Sequence, residues 1–267
     1  MDHAAVVGEF GGERRVTKSE KGLDAIILAG GRGTRLQSVV SDVPKPMAPV
    51  NGRPFLDYQL ALLARSGLVR KAVLALGYQA DKVIDHYRLA GAPLPLDFVV
   101  EEEALGTGGA LRFALAATDS DRVLALNGDS LFRWDLSALL DTHLALGAAA
   151  TLAVVGVPDT SRYGAVDVSD GLVRAFVEKT ETSGPGLINA GLNMFERSVL
   201  EAIPEGRFLS VEQEVFPQLA SVGRLGAAVF SSDFIDIGLP ETYAAAATVL
   251  PAMAGTNFMS PMPGRMT

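Results

Sequence analysis

Apolar and polar positions along the first half of the chain alternate between two rhythms. Short runs rich in Ala, Val, Ile and Leu occupy residues 25–28, 72–76, 96–100 and 123–126. Runs of that length and composition read as buried strands. Between them, residues 54–66, 80–89, 109–117 and 137–146 space their apolar side chains as helices do. Pro54 suits a first helical turn, and Gly67 a C-terminal stop. Strands alternating with helices of about ten residues predict an α/β fold. The expected architecture is a doubly wound, mostly parallel (mixed), Rossmann-like sheet. Ligands of such sheets bind beyond the carboxyl ends of the strands.

After residue 150 the rhythm changes. Residues 151–157, 164–168, 173–178 and 187–194 read as strands with short connections. Turn signals stand at Pro158-Asp159 and Ser169-Asp170-Gly171. This half predicts a β-rich extension of the sheet that covers the ligand cleft. A helix over 211–220 opens with Ser210 and Gln213 placed as a capping box. Short strands at 227–230 and 234–237 precede an alanine-rich helix over 240–249. No internal repeat is visible. Residues 1–22, polar and glycine-bearing, read as a flexible arm, and 251–267, rich in Pro, Gly and Met, as a flexible tail. The domain between them, 23–250, divides into halves 23–150 and 151–250.

Composition narrows the classes of function. The 267 residues are 48% hydrophobic, enough for a large core in one domain with an appendage. A formal net charge of −8 argues against nucleic acid as the main ligand. The chain has no cysteine, so disulfides and thiolate metal sites are excluded. No apolar run reaches the roughly 18 residues of a membrane span, and no secretory signal is evident. The expectation is a cytoplasmic enzyme without a membrane role. His3, His86 and His143 show no ligand spacing.

The first strand runs into Leu28-Ala-Gly-Gly-Arg-Gly-Thr-Arg-Leu36, and Pro44-Lys45-Pro46 follows. Gly30, Gly31 and Gly33 let a ligand approach the main chain closely. Arg32, Arg35 and Lys45 supply fixed cations. A strand entering a glycine turn with fixed cations describes a polyphosphate cradle. It is not a Walker A loop, which needs G-x-x-x-x-G-K-[ST], and Leu36 stands where a dinucleotide fingerprint needs its third glycine.

The segment resembles the signature of the sugar-1-phosphate nucleotidyltransferases, L-A-G-G-x-G-T-R-L followed by P-K. The resemblance spans about residues 23–249. Within that family, stretches such as Val39-Val-Ser-Asp-Val-Pro-Lys-Pro-Met-Ala-Pro49, Leu105-Gly-Thr-Gly-Gly-Ala110 and Phe234-Ile-Asp-Ile-Gly-Leu-Pro-Glu241 are most similar to the D-glycero-α-D-manno-heptose 1-phosphate guanylyltransferases. Gln37-Ser38 stand where glucose-1-phosphate relatives usually carry a proline.

Asp129, in Asn127-Gly128-Asp129, ends an apolar strand. On its own it reads equally as a turn former or as a metal ligand. Asp236 is flanked by Ile235 and Ile237, and a half-buried carboxylate needs a partner. The resemblance implies that Asp129 and Asp236 hold Mg²⁺, an ion that favours a few carboxylates plus substrate phosphates. It also implies a base pocket in which Gly106 and Thr107 approach the nucleobase. Glu101, just upstream, would accept the two adjacent N–H donors of guanine.

In the second half, the resemblance places the sugar-phosphate acceptor against Gly164, Glu178, Lys179 and Asn189. The implied reaction is nucleotidyl transfer from GTP to a sugar 1-phosphate, with pyrophosphate released. Arg35 would bind the leaving pyrophosphate and Lys45 the α-phosphate region, with Leu28, Ala29, Gly30, Gly31, Gly33 and Thr34 lining the nucleotide. Three readings stay open beside heptose and GTP. They are a hexose 1-phosphate acceptor with UTP, dTTP or GTP, a nucleotide- or sugar-sensing module without turnover, and a Rossmann oxidoreductase, which the missing third glycine disfavours; a homo-oligomer is the assembly to test for.

Overall fold

The computed structural model describes residues 22–177 and 184–254. The first half contains β1 (Leu23–Leu28), a small hairpin of β2 (Pro49–Val50) and β3 (Arg53–Pro54), α1 (Phe55–Arg65), β4 (Val69–Leu76), α2 (Ala80–Ala90), β5 (Leu96–Val100), α3 (Gly106–Ala114), β6 (Arg122–Asn127), β7 (Ser130–Phe132) and α4 (Leu136–Leu146). The second half contains β8 (Ala150–Val157), β9 (Ala165–Ser169), β10 (Leu172–Val177), β11 (Gly186–Glu196), α5 (Arg197–Glu201), α6 (Phe216–Ser221), β12 (Leu225–Phe230), β13 (Phe234–Asp236) and α7 (Pro240–Ala254).

Nine strands form one mixed sheet in the order β5-β4-β1-β6-β11-β8-β12-β10-β9. β1 lies between β4 and β6, parallel to both, and β5 extends that parallel set. The expected parallel, doubly wound arrangement therefore holds for the first half. β11 then enters antiparallel between β6 and β8, while β8 and β12 run parallel. The second half thus continues the same sheet with mixed pairing. Its β9–β10 hairpin turns through Asp170 and Gly171, at φ 55° and 73°. An Asp-Gly pair suits a two-residue turn of that kind.

The periodicities explain the layers. In β1, Ala25 and Ile27 bury into one apolar layer and Ile26 into the other. Alternate side chains point to opposite faces, and a sheet covered on both faces is apolar on both. α1 is apolar around most of its circumference because it sits between two clusters. Leu56, Leu60 and Leu63 face the sheet, whereas Phe55, Tyr58 and Leu62 join a third cluster with Leu131, Ile235, Ile237 and Leu250.

Some boundaries differ from the sequence expectation. α3 starts at Gly106, three residues before the expected start at 109. The 211–220 helix splits into a π turn, Val211–Val215, and α6. Ser210 Oγ accepts the Gln213 N–H at 3.3 Å, but the return contact to the Ser210 N–H comes from Glu214. The wider π turn shifts the reciprocal partner by one residue. α7 continues through Pro251 to Ala254, past the boundary expected at 250. Hairpin β2–β3 and strand β7 carried no pattern long enough to predict. The arm over 1–21 and the tail beyond 254 lie outside the described residues. Among the described residues, no helix is long and apolar enough to cross a membrane.

Candidate active site

The carboxyl ends of β1, β4 and β6 open onto a cavity of about 950 Å³. Leu28, Ala29, Gly30, Gly31, Gly33, Thr34 and Arg35 line it from the loop after β1. Lys45 lines it from the turn Lys45–Met47, and Asp129 from the end of β6. Glu101, Gly106 and Thr107 line it from the β5–α3 connection. Twelve residues singled out in the sequence therefore share one cleft, where a doubly wound sheet binds its ligands.

The loop after β1 is fixed at several points. Ala29 N–H donates to Ala75 O at 2.8 Å, and the Tyr78 N–H donates to Gly30 O at 3.1 Å. Leu36 is fully buried in the third cluster and anchors the far end. Arg32 and Arg35 between these anchors stay exposed. Gly33 sits at φ 60°, and a Cβ on it would stand 2.9 Å from Lys45 Cβ. Only glycine fits that conformation and that contact.

Lys45 is held by Pro44 and Pro46 on either side. Its Nζ lies 2.5 Å from Asp129 Oδ2. Asp129 is 38% exposed at its side chain, whereas Asp236 is 13% exposed. The antiparallel pair β7–β13 brings the two aspartates together. Asp236 pairs with Ser130, and the Ile237 N–H donates to Asp129 O at 2.9 Å. Asp236 accepts from Arg162 Nη2 at 2.9 Å, from the Tyr163 hydroxyl, and from the Gly238 N–H at 2.8 Å. Burial, reinforced by Asp236, pushes the Tyr163 hydroxyl up, so it remains a proton donor. Gly238 separates the two sets: a Cβ there would lie 2.6 Å from Asp236 Oδ1 and 3.1 Å from Lys45 Nζ.

Both aspartates are thus neutralised by side chains of the chain itself. The ammonium of Lys45 sits against Asp129, while Asp236 is held by Arg162 and Tyr163. An all-oxygen pair beside a phosphate cradle suits a hard divalent ion that keeps water and substrate phosphate as its other ligands. Among the described residues, no cluster of three or more His, Asp or Glu side chains forms. Asp129 and Asp236 are the carboxylates here that could hold such an ion together with a ligand.

After β5, three strands from β6 in the sheet, Glu101 Oε2 accepts the Leu105 N–H at 3.0 Å. Burial pushes the Glu101 carboxyl up, and that hydrogen bond only partly offsets the effect. Gly106, at φ 71°, packs so closely that a Cβ would stand 2.6 Å from Leu209 O. The Thr107 hydroxyl donates to Glu212 Oε2 at 2.6 Å and accepts the Val211 N–H at 2.9 Å. Thr107 therefore ties the β5–α3 turn to the segment before α6.

Gly164 and Asn189 do not line this cavity. Gly164 closes a turn through its N–H to Thr160 O at 3.0 Å. Asn189 Oδ1 accepts the Gly191 N–H at 3.0 Å, where β11 changes register. Glu178 and Lys179 lie outside the described residues. Sequence reading missed Arg162, Tyr78, Gly77 and Phe208. Arg162 precedes the Tyr163-Gly164 pair that drew notice, but its contact with Asp236 spans 74 residues and leaves no local trace.

The model of the family described as nucleotidyl transferase matches residues 24–252. The chain belongs to that family. This nucleotidyl transferase is 39% identical over 226 residues to the mannose-1-phosphate guanylyltransferase of Mycobacterium tuberculosis, covering 83% of this chain and 62% of that protein. It spans less than two thirds of that relative's length. It is 35% identical over 221 residues to the D-glycero-alpha-D-manno-heptose 1-phosphate guanylyltransferase of Aneurinibacillus thermoaerophilus, covering 83% of this chain and 95% of that protein. Among solved structures, HddC from Yersinia pseudotuberculosis superposes with a TM-score of 0.75 at 36% identity, over 85% of this chain and 98% of that one. HddC has also been solved in complex with GMP-PN.

Proposed function

We propose that this nucleotidyl transferase moves the GMP unit of GTP onto a sugar 1-phosphate, with D-glycero-α-D-manno-heptose 1-phosphate as the acceptor. The observation that carries the reading is the single cleft lined by Arg35, Lys45, Asp129 and Glu101, with Asp129 after β6 and Glu101 after β5, three strands apart in the sheet. A guanosine triphosphate has the matching polarity, with phosphates for the cations and two N–H donors for the carboxylate. The guanylyltransferase relatives and the GMP-PN complex of HddC support the same base.

A phosphate oxygen of the sugar 1-phosphate attacks the α-phosphorus of GTP. The bond from the α-phosphorus to the bridging oxygen breaks, and pyrophosphate leaves with those electrons. The nucleophile is already an anion, so the reaction needs no general base and forms no covalent enzyme intermediate. The protein's contribution is positioning and charge neutralisation. Lys45 would release Asp129 and meet the α-phosphate, Arg35 would hold the leaving pyrophosphate, and Lys179 would align the attacking phosphate. Gly164, Glu178 and Asn189 are proposed for the sugar. Asp129 and Asp236 are proposed to hold Mg²⁺, which when bound supplies charge neutralisation and a template for the phosphates. The compartment proposed is the cytoplasm, where nucleoside triphosphates are made.

Pyrophosphate release, measured with GTP, UTP, dTTP and CTP against a panel of sugar 1-phosphates, tests the reading. The expected outcome is turnover with GTP and the heptose ester. Mannose 1-phosphate is the second acceptor to assay, because the 39%-identical relative bears that name. No release with any pair would overturn the proposal.

A further inference from the structure

Phe208 is a large apolar side chain left 67% exposed, and it lines the nucleotide cavity. Phe113, also exposed, lies on α3 and does not line the cavity. The segment carrying Phe208 is held firmly. Leu209 is fully buried, its N–H donates to Leu105 O at 2.9 Å, and its carbonyl accepts the Gly108 N–H at 2.8 Å. Gly106 and Gly109 press against the same segment, since a Cβ on either would stand within 2.6 Å of Leu209 O or Arg207 O. These contacts fasten the segment of Phe208 to the turn that also carries Glu101 and Thr107, which line the same cavity.

We infer that Phe208 is a nucleobase-stacking platform of this site. The inference rests on the proposed nucleotide role of the cleft and adds a residue and a contact to it. An aromatic face contributes the same stacking to every base, because each base has a π face. A carboxylate, by contrast, discriminates by hydrogen bonding. The two groups divide the work in the cleft: Phe208 supplies affinity shared by all bases, and Glu101 supplies the preference for guanine. The main chain on either side of Phe208 is fixed before ligand arrives, so little backbone ordering opposes binding.

Calorimetric titration of GTP, UTP and inorganic tripolyphosphate into wild type, Phe208→Ala and Phe208→Trp tests this. Phe208→Ala should weaken GTP and UTP by a similar factor, on the order of tenfold, the scale of losing one stacked base. Their ratio should stay unchanged, as should the affinity for tripolyphosphate, which has no base. Phe208→Trp should restore nucleotide affinity. Its new indole should be quenched by GTP but not by tripolyphosphate, against the background of Trp134, the one native tryptophan. Equal GTP affinity in wild type and Phe208→Ala would sink the stacking role while leaving the proposed function intact. A parallel loss of tripolyphosphate binding would also sink it, by revealing a general disturbance of the cleft. Failure of the wild type to bind any nucleoside triphosphate would overturn both.

Discussion

Lys45 Nζ and Asp129 Oδ2 meet at 2.5 Å across 84 residues of sequence, in the lining of the cleft. The pair keeps a cation and an anion side by side where a phosphate and a metal ion would otherwise have to bring their own partners. Each charge is pre-positioned, and on the proposed reading ligand binding would exchange one ion pair for two.

Lys45→Ala should lower turnover at least ~100-fold, the scale of removing one transition-state donor. Pyrophosphate release under saturating substrate measures it. Near-wild-type turnover would remove Lys45 from the reacting phosphates.

Glu101→Gln should erode the preference for GTP over UTP, since an amide no longer accepts both guanine donors. The same variant should change stability with pH. Burial raises the Glu101 carboxyl above its ordinary 4.5, so the folded state holds that proton more tightly than the unfolded chain. The stability from this group is complete below the unfolded value and is lost as pH rises through the folded one. Glu101→Gln should therefore melt higher than wild type near pH 8, with the difference vanishing below about pH 4. A constant offset across that range, followed by thermal melts, would refute the assignment.

Chelation of divalent ions should abolish turnover and leave the unliganded melting temperature unchanged, because Lys45 and Arg162 already neutralise the two aspartates. Asp236→Asn should raise the magnesium concentration needed for half-maximal turnover. An unaltered magnesium dependence in that variant would place the ion elsewhere.

Gly33→Ala should cost about 1–3 kcal/mol of stability, since alanine at φ 60° is strained and its methyl would collide with Lys45. Turnover should fall further than folded fraction, because the displaced residue is Lys45 itself. Denaturant melts beside steady-state assays separate the two effects. A loss confined to stability would show that Lys45 tolerates the shift.

The alternation of apolar runs and amphipathic segments determined the strand–helix order of the first half. Local spacing dictates which faces can be buried, so β1, β4, β5 and β6 were legible, β5 with its bounds and the other three begun late by one to three residues. The Gly30–Leu36 loop was legible as well, because a glycine turn with fixed cations is a local arrangement of chain conformation and charge. The place of β11 between β6 and β8 was not, since nothing within a strand's own sequence names its neighbour. The strand at 234–237 was legible as β13, but its partner β7, three residues long, and their pairing were hidden for the same reason.

Residue types alone marked Asp129, Asp236 and Lys45 as chemical groups, but tertiary structure decided their company. It paired Lys45 with Asp129, gave Asp236 to Arg162 and Tyr163, and carried Phe208 to the rim of the cleft. Side-chain chemistry is written in the individual residue, whereas contact between residues scores apart depends on how the whole sheet closes and which charges must then be neutralised.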